Sequence, residues 1–240
     1  MKITPAHGVI ERRLLVNYRL DPDVAKKLLP APLQPRLVGG YAVAGIALAH
    51  LGRLRPAGLP AVAGLSRETA MHGIAVEWER SPSLHTGVFV LHRDSVGVGP
   101  GRRLRRPPCF TVDDRTDGLR IAYTSRDRTV RVDVDVSLAA GLAGSALFRD
   151  VRAATRFLDL DSPEGASWGP QLRGLKLSVG DRCISAARVR TATSSIFAGT
   201  SVFPPGSVHV DSALLLRDLA LAPAAPERVR GARRAAPNLA

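Results

Sequence analysis

Valines at 130, 132, 134 and 136 alternate with Arg131, Asp133 and Asp135. Successive side chains of a strand point to opposite faces, so this run buries one face and wets the other. Strands of that kind belong to antiparallel sheets, because parallel strands are covered on both sides. The feature commits the chain to a one-sided sheet, and the remaining segments must supply its partners and its cover.

They do. Residues 12–20 (RRLLVNYRL) predict a strand with Leu14, Val16, Tyr18 and Leu20 on one face and Leu15, Asn17 and Arg19 on the other. Asp21-Pro22 then opens a short helix, with aspartate as N-cap and proline at its first position. Val24, Ala25, Leu28 and Leu29 form its apolar stripe, Lys26 and Lys27 lie on its wet side, and Pro30 and Pro32 end it. Residues 41–54 are apolar throughout and fit helix or strand; their neighbours favour strand. Residues 67–80 alternate, with His72, Ile74, Val76 and Trp78 sharing a face and Glu77 and Glu79 sharing the other.

Residues 87–91 predict a strand ending at Arg93-Asp94. A Gly/Pro-rich elbow carrying Arg102, Arg103, Arg105 and Arg106 follows, and then a partner strand from Cys109. Strands are expected at 119–125 and 208–216, a hairpin at 172–179 and 184–191, and a helix over 145–157 capped by Ser145. Residues 161–169 form a turn-rich loop. No repeat or linker interrupts the chain, so residues 1–222 are expected to form one domain, mainly β with a few short helices. Residues 223–240, rich in Ala, Pro and Arg, form a basic tail without apolar period and are expected to be disordered.

The net charge of +13 raises nucleic acid or an anionic surface as partners. The arginines are scattered, however, and aromatics make up only 5%, which leaves few platforms for bases to stack on. Arginine, alanine, glycine and proline abound while lysine is scarce, as in a GC-rich genome. No apolar run approaches the roughly 20 residues that span a bilayer, and the N-terminus lacks a secretory apolar core. The chain is therefore expected to be cytoplasmic, with a small-molecule ligand and other copies of itself as its partners. Nucleic acid, membrane, metal and cofactor are not expected. In a reducing compartment Cys109 and Cys183 are expected to be buried thiols.

Motifs for familiar chemistries are absent. There is no Gly-x-Ser-x-Gly elbow, no Walker A loop and no His-Glu-x-x-His. Gly97-Val98-Gly99-Pro100-Gly101 lacks dinucleotide spacing. His85 and His92 lie an odd number of residues apart, which on one regular strand sends them to opposite faces. Ser95, His92 and Asp94 are too close in sequence to converge as a triad, which draws on separate elements.

Two blocks nevertheless resemble a family. Tyr18-Arg19-Leu20-Asp21-Pro22, followed by residues 28–33 (LLPAPL), resembles the opening of acetoacetate-decarboxylase-like proteins. Residues 88–94 (VFVLHRD), leading to Gly99-Pro100-Gly101-Arg102-Arg103-Leu104, resemble that family's strand and glycine-proline segment. LLVNYRLDP, GYAVAGIAL with RPAGLP, IAVEW, and FPPG followed by DSAL resemble its YqjF-like bacterial branch. The likeness runs from about residue 12 to residue 218.

The resemblance implies a single antiparallel β-barrel or cone enclosing a small-molecule pocket. It also implies a Schiff-base lysine in the glycine-proline segment, activated by a second lysine and by desolvation; the decarboxylase is a standard example of such activation. Here Arg102 and Arg103 stand where that pair would fall, and a guanidinium stays protonated and forms no imine. Acetoacetate decarboxylation is therefore not expected. The resemblance places Arg19 in the pocket lining and His72 near a family carboxylate.

Two functions follow. One is a binder of a small carboxylate or carbonyl compound through Arg19, Arg102 and Arg103. The other is a lyase, cyclase or isomerase acting on a keto acid or polyketide-like substrate, with His72 or His92 as acid/base and an arginine on the developing oxyanion.

Overall fold

The computed structural model describes residues 6–56, 60, 64–80, 82–98, 107–158, 175–178 and 184–223. The expected tail, the Arg102–Arg103 elbow and Cys183 lie outside them.

The first strand, β1 (Ala6–Leu20), runs into α1 (Pro22–Leu28). Asp21 caps α1, its carboxylate accepting from the N–H groups of Asp23 and Val24, and Lys26 and Lys27 are exposed. Two short strands, β2 (Gln34–Pro35) and β3 (Leu37–Val38), lead to three 16-residue strands: β4 (Tyr41–Pro56), β5 (Leu65–Arg80) and β6 (Ser83–Val98). After the elbow come β7 (Cys109–Arg115), β8 (Gly118–Thr124) and β9 (Arg131–Ala139). The chain continues through α2 (Val151–Phe157), β10 (Leu175–Ser178), β11 (Ile184–Ser194) and β12 (Val208–Pro223).

All the pairings are antiparallel, in the order β5-β4-β1-β12-β11-β9-β8-β7, with β6 added outside β5. Alternation at 130–136 holds as read: Val132, Val134 and Val136 are buried, and Arg131 and Asp133 turn away, where Asp133 takes the guanidinium of Arg120.

Two apolar clusters lie on the two faces. One unites Leu14, Val16 and Tyr18 of β1 and Ile46 of β4 with Leu119, Ile121 and the valines of β9. These come from opposite halves of the sheet, so the sheet curls around this cluster. The second joins Leu15, Val43, Ala47 and Leu214 to Leu142, Phe148 and Ala154, making residues 142–158 an outer layer. Arg36 fastens that layer by donating to the Phe157 carbonyl (2.8 Å) and lying 4.2 Å over the Phe157 ring. Full burial of each Leu or Val is worth about 1.5–3 kcal/mol, and the inner cluster is where the two halves of the curl collect it.

Several expectations are corrected. The strand at 87–91 does not end at Asp94 but continues to Val98, and among the described residues it pairs with β5 rather than with the Cys109 strand. Cys109 is exposed. The helix at 145–157 shrinks to α2, because Asp150 caps it by accepting from the Ala153 N–H (2.6 Å). Ser145 instead donates to Asp211 and accepts from the Phe148 N–H. β10 and β11 do not form a hairpin with each other; both pair with β12. Among the described residues no backbone pairing joins β6 to β7, so the curled sheet they form is a cone rather than a closed barrel.

Candidate ligand-binding site inside the curled sheet

His72 lies at the middle of β5, fully buried on the inner face. Its register partner on β6 is His92, with ring centroids 6.0 Å apart and edge to face. The next pair is Gly73 with Val90, so Leu91 is an extra residue: a β-bulge lies beside His92. The bulge also undoes the parity argument. His85 pairs with Trp78, whose ring it stacks on at 5.7 Å, and Trp78 shares a β5 face with His72. His85 and His92 thus face the same side, but at distant points along the strand. Among the described residues no group of three or more His, Cys, Asp or Glu is placed to hold a metal ion.

His72 Nε2 lies 3.0 Å from Ser194 Oγ, and that oxygen accepts from the Phe197 N–H at 3.4 Å. The contact with Ser194 Oγ holds the imidazole in place through Nε2, whichever ring nitrogen carries the proton. Nδ1 is buried and has no hydrogen-bond partner among the described residues. Burial, and secondly the charge of a protonated His92, hold the His72 pKa down at about 3, so the ring is neutral around pH 7.

Tyr18 is the companion orphan. Its hydroxyl is buried without a partner among the described residues, and burial pushes its pKa upward. Phe197 stands between the two, 4.6 Å from the Tyr18 ring and 5.5 Å from His72, with Phe203 behind it at 5.4 Å. The interior thus presents two neutral polar groups, the Tyr18 hydroxyl and His72 Nδ1, on an aromatic wall.

A polar chain continues outward. Tyr123 donates to Asp94 Oδ2 at 2.6 Å, so its oxygen accepts from His92 Nε2–H at 2.8 Å. Burial and then the bond to Asp94 push the Tyr123 pKa up. Asp94 also takes the Arg126 N–H at 3.2 Å.

The structure therefore brings His72 and His92 together. It sets Arg19 on the opposite face of β1 from Tyr18, 3.5 Å from Asp211 and over the Tyr41 ring. Arg102 and Arg103 lie outside the described residues. Tyr18, Ser194, Phe197 and Tyr123 were not singled out from the sequence. Alternation along β1 did place Tyr18 with Leu14 and Val16, and that was the one available signal; Ser194 and Phe197 come from 122 and 125 positions downstream of His72 with no local mark.

No protein-family model and no curated protein matches this sequence. Solved structures do. Acetoacetate decarboxylase from Legionella pneumophila subsp. pneumophila str. Philadelphia 1 superposes with a TM-score of 0.50 at 10% identity, covering 93% of this chain and 88% of that one. The enduracididine biosynthesis enzyme MppR, complexed with the condensation product of pyruvate and imidazole 4-carboxaldehyde, does so with a TM-score of 0.50 at 12% identity, covering 92% and 88%. At such identities the likeness is one of fold: this chain has the mostly antiparallel, helix-poor fold of acetoacetate decarboxylase.

Proposed function

We propose that this protein binds a small carbonyl compound or carboxylate inside the curled sheet and does so without a Schiff base. The observation that supports this is the pair of buried polar atoms, the Tyr18 hydroxyl and His72 Nδ1, that lack partners among the described residues and lie on either side of Phe197. Buried polar groups are nearly always satisfied, and an unpaired one costs about 1–3 kcal/mol. A polar group of a bound ligand that reached either atom would satisfy it. In this proposal Arg102 and Arg103 replace imine chemistry with charge, holding a carboxylate where a lysine would have attacked a carbonyl. Arg19, on the outer face with Asp211, is not needed. By the four segments quoted above, we also assign the chain to the YqjF-like branch.

Pyruvate, which another MppR structure contains, is a fitting first probe, followed by small ketones and carboxylates. The melting temperature is expected to rise with at least one of them, and the rise to disappear in Tyr18→Phe, which removes one oxygen and keeps the ring. A panel without any shift, or a shift unchanged in Tyr18→Phe, refutes the binder. Borohydride added with pyruvate should trap no adduct; a trapped adduct refutes the absence of an imine.

A second function rests on the His72–His92 ring pair and the chain from His92 through Tyr123 to Asp94. It would let His92 move a proton in a lyase, cyclase or isomerase step on a keto acid. Turnover of a keto-acid library that is lost in His92→Gln supports it, and absence of turnover excludes it.

A further inference from the structure

The sheet divides between β11 and β12. Ile184–Ala187 of β11 pair with Leu216–Ala213 of β12. From Arg188 onward the described pairing of β11 is with β9, whereas β12 from Ser212 back to Val208 pairs with β1. In the crotch of this fork lies a cleft of about 630 Å³, lined by residues 137–143, 187–189 and 210–212. That volume lies within the range of ligand pockets.

Three features decide what it would take. The first is Asp211, the extra residue of a bulge, since Asn17 pairs with Ser212 and Tyr18 with Val210. Its carboxylate accepts from the Ser145 hydroxyl and from the Ala146 N–H at 2.8 Å, and Arg19 Nε lies 3.5 Å away. Its charge is therefore already answered from outside the cleft. The second is Arg188, exposed and opposite Ser137 in register, with no hydrogen bond or ion pair among the described residues. With Arg19 and Asp211 cancelling, the cleft keeps one positive charge. The third is the remaining wall: Leu142 is apolar, and Ala139-Ala140-Gly141 leave space beside it.

We propose that this cleft binds a medium-chain alkyl carboxylate. The head group takes the Arg188 guanidinium and the Ser137 hydroxyl, and the alkyl chain lies on Ala139, Ala140 and Leu142, on the same face of the sheet. A forked, charge-assisted contact fixes the head, and burial of the alkyl chain adds to the affinity with each CH₂ removed from water. This site is separate from the buried polar atoms of Tyr18 and His72 and does not depend on them.

The test is an amide NMR titration of the full chain with octanoate, and with 1-octanol and octylamine as controls. Octanoate is expected to shift the amides of Ala139, Ala140 and Gly141, while octanol and octylamine leave them in place. Arg188→Gln should weaken the octanoate effect at least tenfold, Arg188→Lys should restore part of it, and His72→Gln should leave it intact. Arg188 is exposed, so its substitution spares the fold, which the rest of the spectrum reports. Equal response to octylamine, an undiminished response in Arg188→Gln, or shifts confined to the Phe197 neighbourhood each overturn the proposal.

Discussion

His92 Nε2 lies 2.8 Å from the hydroxyl of Tyr123, and this contact joins the two ends of the sheet. His92 belongs to β6 and Tyr123 to β8, beside the opposite edge strand β7. No described backbone pair links β6 to β7 or β8, so the curl is fastened across this seam by side chains. Asp94 completes the fastening, accepting both the Tyr123 hydroxyl and the Arg126 N–H. The bulge at Leu91 makes it possible, because the extra residue re-aims His92 toward its partner.

Tyr123→Phe should therefore destabilise the protein by about 1–3 kcal/mol, since it leaves the Asp94 carboxylate and the His92 N–H short of a partner. Urea denaturation of Tyr123→Phe, Asp94→Ala and the double variant measures the coupling, expected to be at least about 0.5 kcal/mol. Additive single effects would mean that the seam is not a unit.

His72 gives a pH dependence with a definite sign. Its folded pKa of about 3 lies below the ordinary 6.5, so the folded state resists protonation that the unfolded chain accepts. The contribution of a neutral His72 is fully present above about pH 6.5 and is lost as pH falls toward 3, at up to about 1.4 kcal/mol per pH unit. Wild type should lose stability across that window faster than His72→Gln. Parallel pH profiles for the two proteins would contradict burial of a neutral ring.

Much of this architecture was legible because alternation reports burial directly. Val130 to Val136 announced their dry face, and Asp21-Pro22 announced a cap whose bonds are local in sequence. What stayed illegible depends on distant partners. Alternation cannot say that β6 pairs with β5 rather than with the Cys109 strand, because either partner satisfies the same pattern. A bulge adds one residue, here Leu91, without any compositional mark, yet it reverses the parity by which His85 and His92 were judged. Ser145 and Asp150 both cap, Ser145 accepting from the Phe148 N–H and Asp150 from the Ala153 N–H, but only the second cap is followed by a helix, which cap chemistry alone does not reveal.

Gly118 is required by a close approach rather than by its backbone angle. A Cβ there would lie 2.2 Å from the Val136 carbonyl oxygen and 3.1 Å from the Ser137 Cα, both backbone atoms of β9. Gly118→Ala must push β8 from β9, and a loss of about 1–3 kcal/mol is expected in urea denaturation. An unchanged midpoint would show that the hairpin yields freely there.

Arg13 is the most costly side chain in the core. It is 1% exposed, and its Nε and Nη2 have no hydrogen-bond partner among the described residues. Those two nitrogens form the side-on fork that Arg120 uses on Asp133, at 3.1 and 2.7 Å. Burial brings the Arg13 pKa down to about 10, which still leaves it charged at neutral pH. An uncompensated buried charge opposes folding, and well-packed apolar replacements of buried ionic groups stabilise by about 1–4 kcal/mol. Arg13→Met should therefore raise stability at pH 7 by an amount in that range. The sign of its pH dependence follows. Below about pH 10 the folded wild type carries the full charge, and between pH 10 and 12.5 it sheds its proton before the unfolded chain does. The advantage of Arg13→Met should thus shrink as the pH rises above 10. Denaturation of both proteins at pH 7 and pH 10.5 measures this, and a variant less stable than wild type at pH 7 would mean that Arg13 holds an anionic partner.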